Sequence, residues 1–280
     1  MLWILGAKGL LGSALALKCG QKAILSGHEL EISNFEALRA FVGENQGITR
    51  IINCAAFSQV DAAEQRREEA YLANVRGPEN LSLIAQEIGA DLIHISTDYV
   101  FAGNVKKPQT ENDPVGPCNY YGQTKLEGEQ KVLSFGQCVI RTSGIFGGKG
   151  NNFVSKLLHM LQTQKEVRLT DDQWGRFTYA PDLAGALLQL GHLKGLYQYA
   201  NTGVATKYEF GLALRSEALL LGLPVVTESI IAVPSSTFPS PCKRPIYSAF
   251  DTTKIERHVS IRSWREGLRD YLCAQLPVYL

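Results

Sequence analysis

The sequence predicts an α/β protein in which a doubly wound parallel sheet is followed by a smaller C-terminal α/β unit. Three observations carry this. Short apolar runs alternate with helical patterns over residues 1–142, the order that produces a parallel sheet with helices on both faces. The runs are apolar almost throughout, as expected of strands buried on two sides. A glycine-rich turn, Gly6–Gly12, joins the first run to the first helical pattern.

Each element follows in order. Leu2–Leu5, Ala23–Leu25, Arg50–Asn53, Leu92–Ser96 and Cys138–Thr142 read as strands. Leu10–Cys19, Phe35–Val42, Glu64–Asn74, Pro78–Ile88 and Thr124–Leu133 read as helices, with apolar residues recurring at helical spacing. After about residue 143 the rhythm loosens. Asn152–Gln162 and Asp182–Leu193 read as amphipathic helices, the second opened by Pro181 and Asp182. Leu196–Ala200 is expected to return a strand to the main sheet. Lys207–Leu221 reads as a helix, Val225–Val233 as a strand and Ser263–Ala274 as a closing helix. The Pro-rich stretch 234–245 is a long irregular segment of the kind compact domains often use for function. The expected division is 1–142, joined by roughly 178–202 returning to the sheet, and 143–280.

Composition narrows the partners. A chain of 280 residues can bury one large core or two smaller ones. It is 45% hydrophobic and 20% charged, ordinary for a soluble globular protein. Lys+Arg 28 against Asp+Glu 27 leaves +1, which gives no electrostatic case for nucleic acid or an anionic membrane. No apolar run is long enough to span a bilayer. Met1–Leu5 leads straight into the glycine turn and reads as a strand, not a signal peptide. The six cysteines are dispersed without a CxxC, and the five histidines are scattered. Reduced thiols in a cytoplasm and no structural zinc are therefore expected.

The turn Gly6-Ala7-Lys8-Gly9-Leu10-Leu11-Gly12 sits between strand and helix at the start of the α/β pattern. Small residues there allow a tight turn, close backbone approach to a pyrophosphate and close helix packing, with the helix N-terminus facing the phosphates. This points to a Rossmann-like dinucleotide site. The spacing Gly-x-x-Gly-x-x-Gly is that of short-chain dehydrogenase/reductase sites. An acidic residue about 20 positions on would normally grip the ribose, but the second strand ends in Leu25-Ser26-Gly27. A neutral Ser26 would not repel a 2′-phosphate, so NADPH is favoured over NADH, with Lys8 as a counter-charge. Glu31 and Ile32 are placed against the adenine. Ala55 and Ala56, after the third strand, leave room for the cofactor backbone.

Tyr121 and Lys125 lie four positions apart and share one helix face. An ammonium near a phenol favours the phenolate and lowers a pKa that is ordinarily about 10. A phenol tuned in this way exchanges a proton with a substrate oxygen near neutral pH. Thr97 closes the strand in Leu92-Ile93-His94-Ile95-Ser96-Thr97-Asp98-Tyr99-Val100-Phe101. Ligands of doubly wound sheets bind outside such strand ends. Its hydroxyl would hold a substrate carbonyl while Tyr121 protonates the oxygen and a cofactor delivers hydride. Lys125 would also bind the nicotinamide ribose, and Asp98 a sugar hydroxyl. Asn74 would brace a strand near the site. His94 reads as a packed core histidine.

These residues, with Asn53-Cys54-Ala55-Ala56, Arg141-Thr142-Ser143, Gly150-Asn151-Asn152-Phe153, Asp172-Gln173-Trp174-Gly175 and Ala232-Val233-Pro234-Ser235-Ser236, resemble the dTDP-4-dehydrorhamnose reductase family of extended short-chain dehydrogenases/reductases. The resemblance covers nearly the whole chain. It implies reduction of the C4 ketone of dTDP-4-dehydro-L-rhamnose with NADPH or NADH, and a C-terminal substrate-binding domain. It implies that Thr97, Tyr121 and Lys125 are catalytic. It places Gly6, Gly9, Leu10, Leu11, Gly12, Glu31, Ile32, Ala55, Ala56 and Ser58 along the cofactor. Thr97, Asp98, Tyr121, Asn152 and Gln173 fall on the sugar side, and Arg244 on the diphosphate, whose oxygens a guanidinium matches bidentately.

The chain departs from the family pattern in two places. Gly144 stands where members carry a Trp that packs on the sugar, and Phe177 where they carry Pro. Some members use Mg²⁺ in assembly through surface carboxylates, and no matching cluster stands out here. A nucleotide-sugar substrate is expected, and a homodimer is compatible with the pattern. Two other readings share the resemblance. The regulatory β subunit of methionine adenosyltransferase looks like these reductases yet serves as a binding partner, and Thr206-Lys207-Tyr208-Glu209 is faintly similar to it. Nucleotide-sugar epimerases of the same superfamily hold NAD without consuming it.

Overall fold

The computed structural model describes residues 1–148 and 152–276. Gly150 and Asn151 of the Gly150–Phe153 string lie outside the described residues. The N-terminal part contains strands β1 (Leu2–Leu5), β2 (Ala23–Ser26), β3 (Arg50–Asn53), β4 (Asp91–Thr97) and β5 (Cys138–Thr142). Between them run helices α1 (Leu10–Cys19), α2 (Phe35–Glu44), α3 (Val60–Ala63), α4 (Arg67–Tyr71), α5 (Gly77–Glu87) and α6 (Tyr120–Ser134). The later part adds β6 (Ile145–Phe146), β7 (Glu166–Thr170), β8 (Thr178–Tyr179), β9 (Gly195–Gln198) and β10 (Ser229–Val233). Its helices are α7 (Phe153–Thr163), α8 (Ala180–Gln189), α9 (Lys207–Leu220), α10 (Thr253–Glu256) and α11 (Trp264–Cys273).

Among the described residues, six strands form one sheet in the order β2-β1-β3-β4-β5-β9, and every pairing is parallel. The expected returning strand is present as β9, beside β5. The fold is Rossmann-like. Alternating side chains along a strand feed opposite faces. Ile4 packs with Leu15, Ile93 and Leu187 on one face, while Trp3 and Leu5 pack with Leu38, Leu81 and Ile84 on the other. Burying each such side chain stabilises by about 1.5–3 kcal/mol. A separate apolar core gathers Phe146, Leu157, Phe177, Phe210, Trp264 and Leu268 from the later elements.

Three departures from the expected elements matter for the site. The helix expected over Glu64–Asn74 is replaced by the short α4 and a π-helical turn, Leu72–Arg76, and a separate short helix, α3, precedes it. A π turn admits an extra residue, and here it carries the fully buried Asn74. The Asn74 amide donates to Phe57 O and Thr124 Oγ1 at 3.1 Å each and accepts from Phe57 N–H at 2.9 Å. It therefore ties the segment after β3 to α6. Next, α6 begins at Tyr120, before the expected Thr124, because Asn119 caps it by accepting from Gly122 N–H at 2.8 Å. Tyr121 consequently lies inside the first helical turn. Finally, β7 was not anticipated. It alternates exposed Glu166 and Arg168 with buried Val167 and Leu169 and pairs with β10. That strand starts only at Ser229, since Thr227 Oγ1 donates to Leu161 O and Gln164 O instead.

Candidate active site

A cleft of about 700 Å³ opens at the carboxyl ends of the first strands. The predicted Gly6, Gly9, Leu10, Leu11, Gly12, Glu31, Ile32, Ala55, Ala56 and Ser58 all line it. Gly6 has φ +70, and a Cβ there would come within 2.7 Å of Ala55 N. A Cβ on Gly12 would come within 2.1 Å of Gly6 O. Only glycine lets the turn, the start of α1 and the end of β3 approach this closely. Gly9 caps α1 without a side-chain hydrogen bond, so the first-turn N–H groups remain as donors at the cleft wall. This donor set, cradled by glycine, fits a pyrophosphate.

The Ser26 hydroxyl does not face this cleft. It is buried and accepts from Trp3 Nε1–H at 3.0 Å. Ser26 acts through its backbone carbonyl, which accepts from Ala7 N–H at 3.0 Å and anchors the turn. Sequence reading also missed a carboxylate near the end of β2. Glu29 accepts from Gly27 N–H and pairs with Lys8 at 3.0 Å. Backbone N–H groups, its own and that of Gly27, and then Lys8 hold its carboxyl down to about 2. Lys8 is thus engaged, and a carboxylate stands where none was expected.

Thr97 ends β4 and is buried beside Asp98. Its hydroxyl donates to Asp98 Oδ1 at 3.1 Å, and Ser248 donates to Asp98 Oδ2 at 2.6 Å. Both carboxylate oxygens therefore already hold hydroxyls. Burial pushes the Asp98 carboxyl up to about 6 in spite of these donors. Tyr121 is half-buried, edge-on to Tyr99 at 5.7 Å between centroids. Burial pushes its phenol up to about 12, with Thr97 drawing it down and Asp98 adding to the rise. The downward shift expected from Lys125 is absent. The Lys125 amino group points elsewhere: it donates to Ile95 O at 2.7 Å and lies 3.2 Å from His94 Nε2. The pair shares a helix face as the spacing predicts, but His94 and the Ile95 carbonyl in the middle of β4 take the amine.

The raised Asp98 carboxyl has a pH signature. Its folded pKa, about 6, exceeds the ordinary 3.8. Its contribution to stability is full below the unfolded value and is lost as pH rises through about 6. Asp98→Asn lacks this loss. The variant should gain on the wild type by on the order of 2–3 kcal/mol between about pH 4 and about pH 7. Urea unfolding at the two pH values measures the gap, and a constant gap would mean that the carboxyl titrates normally.

The remaining predicted residues lie farther along the site. Asn152 caps α7, its Oδ1 accepting from Val154 and Ser155 N–H at 2.9 and 3.1 Å. Gln173 lies in the loop after β7, beside the Trp174–Tyr247 bridge. Arg244 is held by Asp61 at 2.8 and 3.0 Å, and Ser240 and Cys242 donate to the same carboxylate. The Pro-rich segment is thereby latched onto α3. Asp61 escaped sequence reading because its partner is 183 residues away. Cys54, Ile95 and Ile145 also line the cleft, and their apolar character carried no distinguishing signal. Gly144 has φ +51, and a Cβ there would sit 2.7 Å from Arg176 O. No larger residue fits this backbone without a shift. Phe177 instead packs into the aromatic cluster, 4.3 Å from Phe210 between centroids.

Among the described residues, no cluster of three or more His, Cys, Asp or Glu side chains stands ready for a metal ion. No described helix is long and apolar enough to cross a membrane.

Comparison with known proteins adds independent findings. A family model described as RmlD substrate binding domain matches residues 1–276. The spore coat polysaccharide biosynthesis protein SpsK of Bacillus subtilis is 35% identical over 277 residues, covering 96% of this chain and 95% of its own. A dTDP-4-dehydrorhamnose reductase of Mycolicibacterium smegmatis is 35% identical over 284 residues, covering 97% of this chain and 84% of its own. The crystal structure of dTDP-4-dehydrorhamnose reductase from Bacillus anthracis in complex with NADP superposes with a TM-score of 0.90 at 31% identity, covering 98% of each chain.

Proposed function

This chain belongs to the RmlD substrate binding domain family, and we propose on that ground that it is an NAD(P)H-dependent oxidoreductase of the cytoplasm. It reduces the C4 ketone of dTDP-4-dehydro-L-rhamnose to dTDP-L-rhamnose. The reading assigns dinucleotide binding to residues 1–142, joined by roughly 178–202, and substrate binding to 143–280. The observation that carries it is the convergence of Thr97, Asp98 and Tyr121 at the end of β4, next to a glycine-cradled cleft.

The glycine turn and the start of α1 would hold the pyrophosphate, with Ala55, Ala56 and Ser58 along the cofactor's path. A nicotinamide dinucleotide bound there supplies hydride. The chain's own residues handle the oxygen. A phenol held near 12 stays protonated through the neutral range. Tyr121 therefore gives up its proton only to a strongly basic oxygen, such as an alkoxide developing from the ketone. The Thr97 hydroxyl, adjacent to that phenol, orients the same oxygen once it turns its proton from Asp98 to it. Arg244 offers a guanidinium to the diphosphate once phosphate oxygens replace the Asp61 carboxylate. Lys8 beside Glu29 leaves both coenzymes admissible: the carboxylate suits free ribose hydroxyls, and the ammonium suits a 2′-phosphate.

The test follows NADPH and NADH absorbance with purified protein and dTDP-4-dehydro-L-rhamnose. Steady oxidation is expected. Cofactor binding without oxidation would sink the reductase reading and favour a binding role, and sugar isomerisation without net oxidation would favour an epimerase.

A further inference from the structure

His94 reads from sequence as an inert core residue, yet it faces Lys125. The hydrogen bonds around it run in one direction. Ala55 N–H donates to Asn53 Oδ1 at 3.0 Å. That bond orients the amide, so Asn53 Nδ2–H meets His94 Nδ1, also at 3.0 Å. An N–H facing Nδ1 requires Nδ1 to accept, and a neutral imidazole then carries its proton on Nε2. Nε2 lies 3.2 Å from Lys125 Nζ. An N–H there cannot pair with an ammonium, which has only donors, but it can donate to the lone pair of an amine. Lys125 Nζ in turn donates to Ile95 O at 2.7 Å. Asn53, His94 and Lys125 are all almost completely buried, so no bulk water relieves a mismatch of donors.

We infer that His94 is a positioning residue for Lys125, its proton fixed on Nε2 by Asn53 and thereby favouring the neutral amine. The chemical consequence rests on the proposed reductase site, whereas the tautomer does not. Other groups around the amine act in both directions. Burial lowers the Lys125 pKa to about 8 and keeps His94 from charging. The Cys54 thiol is pushed up to about 12, so it stays neutral. Glu129 on the next turn of α6 favours the ammonium, but Arg141 takes its carboxylate at 2.8 Å. Tyr121, one turn earlier, stays protonated through the neutral range. Lys125 is thus poised to change charge just above neutrality, and His94 sets the side on which it rests.

The direct test is the nitrogen NMR of protein labelled with ¹⁵N-histidine, with His94 assigned by its loss in His94→Gln. The expected signal is an Nε2–H imidazole from about pH 6 to about pH 9. An Nδ1–H tautomer or an imidazolium there overturns the inference, whether or not the protein reduces any ketone. A second measurement uses Asn53→Asp, whose carboxylate accepts from both Ala55 N–H and an Nδ1–H. The tautomer should flip, Nε2 should accept from an ammonium, and the alkaline break in NADPH affinity against pH should rise by at least about one unit, a tenfold change in proton affinity. Asn53→Asp combined with His94→Phe should lose most of that rise. An equal rise in the double variant would show that charge alone acts, and would overturn the role of His94. If these variants fail to fold, the wild-type tautomer still decides.

Discussion

Replacing Tyr121 with Phe is expected to lower kcat for ketone reduction by about 10²–10⁴-fold, the typical contribution of a positioned proton donor. The substitution removes one oxygen and little else. Phe keeps the edge-on contact with the Tyr99 ring at 5.7 Å. The cofactor cleft is lined by other residues, so NADPH affinity should hold. Thr97 can turn its hydroxyl from Asp98 to a ketone and orient it, but an alcohol is a poorer source of protons than the phenol. The loss should therefore appear in kcat, with binding largely intact. Single-turnover oxidation of NADPH, compared with NADPH titration by fluorescence, separates the two. A variant that retains most of the wild-type rate would mean that another group or a water supplies the proton.

The largest expected effect on stability lies one helical turn beyond Lys125. Glu129 and Arg141 form a bidentate pair at 2.8–3.2 Å, with side chains 1% and 3% exposed. The pair joins α6 to β5. Its guanidinium also stacks over Phe101, 5.0 Å from the centroid. Glu129→Ala leaves that guanidinium buried without a counter-charge, at a cost of about 3–5 kcal/mol. Total stabilities are commonly about 5–15 kcal/mol, so the midpoint should fall on the order of 10 °C. Adding Arg141→Met removes the stranded charge and should recover much of the loss. Thermal and urea unfolding of the single and double variants measure both effects. A loss below about 1 kcal/mol in Glu129→Ala would place this pair with weak surface bridges.

Much of the site was legible because its signals are local. A glycine turn between a strand and a helix constrains backbone approach within seven consecutive residues, and each predicted glycine lines the cleft. The strand-end Thr97 and the helical Tyr121/Lys125 spacing likewise need only short-range geometry. What escaped depends on partners far along the chain. The Ser26 hydroxyl turns inward because Trp3 supplies an N–H from the neighbouring strand. Arg244 is engaged because α3 presents Asp61. Gly144, read as a missing wall, is required by a backbone that passes Arg176 too closely for a side chain.

The same division holds for the catalytic pair. Helical periodicity alone put Tyr121 and Lys125 on one face, and apolar runs alone called for a parallel sheet. The direction of the Lys125 amine was decided by the packing of α6 against β4, where Ile95 O and His94 wait at hydrogen-bond distance. A long flexible side chain takes the best buried polar partner within reach, because an unmatched donor in a dry interior costs more than a bent rotamer. Spacing along a chain cannot reveal that partner, since it comes from a strand 30 residues away.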